Sequence, residues 1–127
     1  MRQNVPSPSP FAPVTAFSAA VRVGNQVFVS GTVGRDPNGR FEPDVYAQAK
    51  QALANIEKAL QAAGAALTDV VRTRMFVTNI DRWEDASRAH RDVFADILPA
   101  CTLVEVSRLA SPEMLIEIEA DAVIESA

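Results

Sequence analysis

Two stretches near the end of the chain alternate apolar and polar residues with the two-residue period of a β-strand, and they constrain the fold more than any other feature. From Cys101 to Leu109, Thr102, Val104, Val106 and Arg108 share one face, and Cys101, Leu103, Glu105, Ser107 and Leu109 the other. From Met114 to Val123, Met114, Ile116, Ile118, Ala120 and Ala122 oppose Leu115, Glu117, Glu119, Asp121 and Val123. Ala110-Ser111-Pro112-Glu113 supplies turn chemistry between the runs, which predicts two antiparallel strands. The second strand carries a row of acids on one face, and the first carries the chain's one cysteine. Any chemical site is expected here.

The preceding residues set out the rest of the fold. Phe17 to Val23 and Gln26 to Ser30 flank Gly24-Asn25, a favoured two-residue turn, and predict a hairpin. Asp36-Pro37-Asn38-Gly39 predicts a reversal within a loop from Gly31 to Arg40. Val45, Ala49, Ala52, Ile56, Leu60 and Ala63 recur at helical spacing, so a helix should begin near Asp44 and stop at Gly64. Val70 to Thr78 reads as a strand with Val71, Thr73, Met75 and Val77 on one side and Arg72 and Arg74 on the other. Asp81 and Glu84 resemble a capping box, and Trp83, Ala86, His90, Phe94 and Ile97 trace a second helical stripe, ended by Pro99. The resulting string, ββαβαββ, predicts an α+β fold, a mixed sheet covered on one face by two helices. Strands apolar on both faces would leave the opposite sheet face exposed, which predicts an oligomer.

Length and composition narrow the function classes. A chain of 127 residues forms a single domain, 1–127, and residues 1–13, MRQNVPSPSPFAP, are expected as an extended arm rather than a signal peptide. No apolar run approaches the roughly 18 residues of a membrane span. One cysteine and the lack of any zinc-ligand spacing lead us to expect a cytoplasmic protein without a metal. Gly31-Thr32-Val33-Gly34 lacks the third glycine of a dinucleotide fingerprint and the lysine of a P-loop, so no cofactor is expected. The net charge of −4 with scattered basic residues provides no footprint for nucleic acid.

The closing block, PACTLVEVSRLASPEMLIEIEADAV, resembles the signature of the RidA (YjgF-like) family, in which P-A-R-S-x-V-x-V-x-x-L-P precedes a K-I-E-I-E strand. GNQVFVSGTVG at 24–34, AQAKQALANIEKALQAAG at 47–64 and LTDVVRTRMFVTNIDRWED at 67–85 extend the resemblance over almost the whole chain. It implies a RidA/chorismate mutase-like fold and a homotrimer with small-molecule pockets in clefts between subunits. It also implies hydrolysis (deamination) of a small reactive enamine or imine, or of a related metabolite. A non-catalytic, small-molecule-binding or chaperone-like trimer is the alternative, and an endoribonuclease or translation inhibitor fits the charge least.

Residue by residue, Glu117 falls on the first glutamate of the family's I-E-I-E strand, which implies that it activates the hydrolytic water. Cys101 stands where imine-deaminating members have the arginine that grips a substrate carboxylate, so an ordinary 2-imino acid is not the expected substrate. A cysteine there could line the pocket, act as a nucleophile or simply pack. Ser30 matches a pocket serine, Phe17 stands for a frequent tyrosine and Ser87 for a frequent asparagine. Leu103, two residues beyond Cys101 on the same strand face, is expected to join them in binding substrate. His90, on the apolar stripe, is expected as a packed histidine. Arg72 and Arg74 are open to solvation, to an anion or to pairing with the acidic strand.

Overall fold

The computed structural model describes residues 1–125. Its strands are β1 (Arg2–Val5), β2 (Ala20–Val23), β3 (Gln26–Val33), β4 (Val70–Val77), β5 (Ala100–Glu105) and β6 (Ile116–Val123). Its helices are α1 (Ala12–Thr15), α2 (Val45–Ala62) and α3 (Trp83–Phe94). The strands form one six-stranded sheet in the order β1-β2-β3-β6-β4-β5, with α2 and α3 on one face. This is the expected α+β architecture with a mixed sheet.

The hairpin of β2 and β3 forms around Gly24-Asn25, with Val23 opposite Gln26. Three expectations are corrected. The last two strands do not pair with each other: β6 lies between β3 and β4 and is antiparallel to both, and β5 runs parallel to β4 at the sheet edge. Helix α3 crosses over between β4 and β5, and such a crossover returns the chain in the parallel direction. β6 takes the centre, where Ile116, Ile118, Ala120 and Ala122 become almost wholly buried. Second, the N-terminal segment is more than an extended arm, since β1 pairs with β2 and a single helical turn, α1, follows, so the order is βαββαβαββ. Third, the box of Asp81 and Glu84 does not cap α3. Asn79 instead accepts from the Asp81 N–H and opens a tight turn, Ile80–Arg82, that runs straight into the helix.

The α2 stripe is realised in full. Val45, Ala49, Ala52, Ile56, Leu60 and Ala63 are all buried, the Asp44 carboxylate caps the first turn through the Ala47 N–H, and Gly64 takes φ +84° just past the end. On β4 a bulge between Val70 and Arg72 resets the face, so Val70 is buried and Val71 is 47% exposed. On α3, Ala86 and Phe94 are buried and Trp83 is exposed.

One polar side chain ties these parts together. Gln48, on α2 and 1% exposed, donates from Nε2 to the carbonyls of Glu42 (2.7 Å) and Glu113 (2.8 Å). Its Oε1 accepts from the Leu115 N–H at 2.9 Å. The chain leading into α2 and the chain leading into β6 are therefore both fastened to one residue. The fit is close, since a Cβ on Gly34 at the end of β3 would sit 2.3 Å from the Gln48 carbonyl oxygen. Gln48→Leu leaves two carbonyls and one N–H without their partner, and is expected to destabilise the fold by about 3 kcal/mol or more. Urea denaturation measures the loss. Faster hydrogen exchange at the Leu115 amide should accompany it.

Candidate functional site

The register of β6 decides the electrostatics of the sheet face that the helices leave open. Glu117 lies opposite Val33 on β3 and Phe76 on β4, and all three point away from the helices. Arg74 lies opposite Glu119, and its guanidinium reaches both Glu119 (3.2 Å) and Asp121 (3.3 Å). Among the described residues no cation or hydrogen-bond donor is left for Glu117. Burial, and secondarily the charge of Glu119, raises the Glu117 pKa above the usual carboxylate value.

Space for that carboxylate comes from β3. Its pairing with β6 shifts between Val29 and Thr32, which places Gly31 beneath the glutamate, and a Cβ at Gly31 would lie 2.5 Å from Glu117 Oε2. Ser30 is turned aside: its Oγ donates to the Ser18 carbonyl at 2.6 Å and ties down the segment that carries Phe17. Phe17 is half-buried and sits just after α1, outside the hairpin. A half-buried carboxylate with no counter-ion, beside exposed backbone, can take a proton from water and return it.

Cys101, Leu103 and Ser87 lie elsewhere. Cys101 pairs with Thr73 and Leu103 with Met75, so both face the helices, and Leu103 packs against the core. The exposed Cys101 thiol and Ser87 line a cavity of about 210 Å³ between α3 and the β5 edge, together with Met75, His90, Arg91 and Phe94. His90 Nε2 is hydrogen-bonded to Thr73 Oγ1 (2.8 Å), and burial lowers its pKa, which keeps the ring neutral at neutral pH. Within one chain, the residues expected at the site are thus parted: Glu117 faces away from the helices, Cys101 and Leu103 face them, and Ser87 joins Cys101 at the cavity. Sequence pattern does not single out Arg91 in the cavity wall; its spacing of four from Ser87 on α3 was the available signal.

The Endoribonuclease L-PSP family profile matches residues 8–124. The chain belongs to this family. A 2-iminobutanoate/2-iminopropanoate deaminase of Rattus norvegicus is 38% identical over 114 residues, covering 88% of this chain and 82% of its own. The protein of the same name from Escherichia coli strain K12 is 32% identical, covering 97% of this chain and 98% of its own. The crystal structure of Rv2704 from Mycobacterium tuberculosis, a member of the YjgF/YER057c/UK114 family, superposes with a TM-score of 0.91 at 44% identity, covering 98% of this chain and all of that one. Among the described residues of this L-PSP family chain, no three His, Cys, Asp or Glu side chains converge as a metal site. No helix of the described residues is long and apolar enough to cross a membrane.

The raised Glu117 pKa has a consequence for stability. As pH falls, the native state takes up this proton before the unfolded chain does, so the Glu117 charge penalises folding above the ordinary carboxylate range and has no effect below it. Glu117→Gln is therefore expected to melt at a higher temperature than the parent at pH 7. The difference should shrink to nothing as pH falls below the unfolded-chain value of 4.5. Thermal melts across that range measure it.

Proposed function

We propose that this protein hydrolyses the C=N bond of a small imine, formed directly or by tautomerisation of an enamine, with Glu117 as general acid/base. The observation that carries the reading is the half-buried Glu117 carboxylate, left without a counter-ion above Gly31 while Arg74 holds its two neighbours. Glu117 takes a proton from water as the oxygen bonds to the imine carbon, and the nitrogen gains a proton. Glu117 then takes the hydroxyl proton of the carbinolamine and delivers it to the amino nitrogen, the C–N bond breaks, ammonia departs and a carbonyl compound remains. Deaminase-named relatives support the reaction class.

The reading places the site in a cleft between copies of this chain, because Glu117 and Cys101 of one chain face opposite ways. The open sheet face supports this, with Val23 49%, Phe28 45%, Val104 41% and Val123 40% exposed around the charged centre. We assign a homotrimer, as the family resemblance implies, and a cytoplasmic location. Cys101 takes the place of the carboxylate-gripping arginine and lacks its guanidinium fork, so the imine of an ordinary 2-amino acid would have to be held by some other group. Phe17, Ser30, Ser87 and Leu103 complete the assigned binding surface.

Light scattering is expected to return three times the chain mass. A monodisperse monomer would leave the two halves unable to share a substrate. Ammonia release from imines generated in solution tests the chemistry: Glu117→Gln should slow turnover by about 10² to 10⁴, and Asp121→Asn should not. If no imine or enamine is turned over while small molecules still bind, the alternative of a non-catalytic binder prevails.

A further inference from the structure

A glycine inside a strand costs backbone entropy and gives the sheet nothing to pack, so its presence needs a physical reason. The backbone of Gly31, in β3, does not supply one: Gly24, Gly39 and Gly64 take positive φ, and Gly31 does not. At Gly34 a Cβ would run into the main chain of Gln48. At Gly31 the three nearest atoms all belong to the Glu117 side chain, with Oε2 at 2.5 Å, Cδ at 2.9 Å and Cγ at 3.3 Å. The Glu117 carboxylate therefore lies over β3, in the space that a side chain at position 31 would fill. The end of a flexible side chain can move aside, and what matters is where it would go.

On the other side of β6 stands Arg74. It lies opposite Glu119 on β4, so Glu117 and Asp121, each two residues from Glu119, are its diagonal neighbours. Diagonal pairs are about 7–8 Å apart, within reach of a long side chain, and Arg74 does reach Asp121 at 3.3 Å. Its contacts to Glu119 and Asp121 both use Nη1, so a fork of five donors has donors to spare. The remaining charged groups on this face are few. β6 contributes Glu119 and Asp121, β4 adds Arg72 beside Asp121, and β3 and β5 present Val33, Phe28, Ala100, Thr102 and Val104. We propose that Gly31 is a positioning residue for Glu117: the room it leaves on β3 keeps the carboxylate turned away from Arg74, which would otherwise draw it into an ion pair. A carboxylate held by that guanidinium would be a weaker base and would lie away from the gap in which it can meet water. The consequence for turnover rests on the acid/base reading above, but the positioning itself is measured without it.

The test uses the full-length protein with Gly31→Ala alone, with Arg74→Gln added, and with Glu117→Ala added. Carbon NMR titration of the Glu117 carboxyl should show its pKa lowered by Gly31→Ala, through the new ion pair, and raised again once Arg74→Gln is added. In the Glu117→Ala background, where no carboxylate is left to displace, Gly31→Ala should leave the melting temperature unchanged or raise it. Turnover of an imine generated in solution should fall about tenfold or more in Gly31→Ala and recover in part with Arg74→Gln. A chain that unfolds with Gly31→Ala and is rescued by Glu117→Ala also supports the proposal. It is overturned if Gly31→Ala leaves the Glu117 titration unmoved, or lowers the pKa as far without Arg74 as with it. It is overturned too if Gly31→Ala unfolds the chain even with Glu117→Ala, because the backbone would then need the glycine. A titration that shifts as expected while turnover stays at the parent level would sink the acid/base reading and leave the positioning of Glu117 by Gly31 standing.

Discussion

The position of Glu117 rests on the three hydrogen bonds of Gln48. β6 lies in the middle of the sheet, entered by a long excursion from the edge strand β5, and a chain returning from such an excursion could settle in more than one register. A shift by one residue would turn Ile116, Ile118 and Ala120 outward and bury the acids. Gln48 fixes the entry by holding the Glu113 carbonyl and the Leu115 N–H, two residues before Glu117. A buried amide with every hydrogen satisfied suits this task, because any slip would strand polar groups in a dry interior.

Given that register, the charge pattern of the open face follows. One arginine, Arg74, sits where it reaches two carboxylates, and neither is Glu117. The acid left over lies where β3 has a glycine and a bulge, so backbone rather than side chain meets it. Apolar residues ring this face, so a second copy seated there would dry Glu117 further and raise its pKa again. Assembly and acid/base chemistry would reinforce each other, at some expense in stability of the lone chain.

Much of this was legible because it depends on periodicity. The α2 stripe, the caps at Asp44 and Gly64, the Gly24-Asn25 hairpin and the faces of β6 are local patterns with one physical solution each. What failed to show locally was either non-local or irregular. Partner choice between β5 and β6 depends on which strand gains most from the centre, and the turn-like residues 110–113 belong to a longer loop instead of a hairpin. The bulge at Val70/Arg72 exchanged Val71 for Val70 on the buried face. β1 went unread because a four-residue edge strand beside a proline-rich segment has too few apolar positions to announce itself.

The sequence by itself determined the fold class, the strand faces and a row of three acids on one face of the last strand, because side-chain periodicity and turn chemistry act over a few residues; only the family resemblance set Glu117 apart from Glu119 and Asp121. Tertiary structure decided which acid goes unpaired, since that depends on Arg74 lying opposite Glu119. It also decided that Cys101 and Glu117 part to opposite faces, since β5 and β6 are separated by β4 and their outward sets differ.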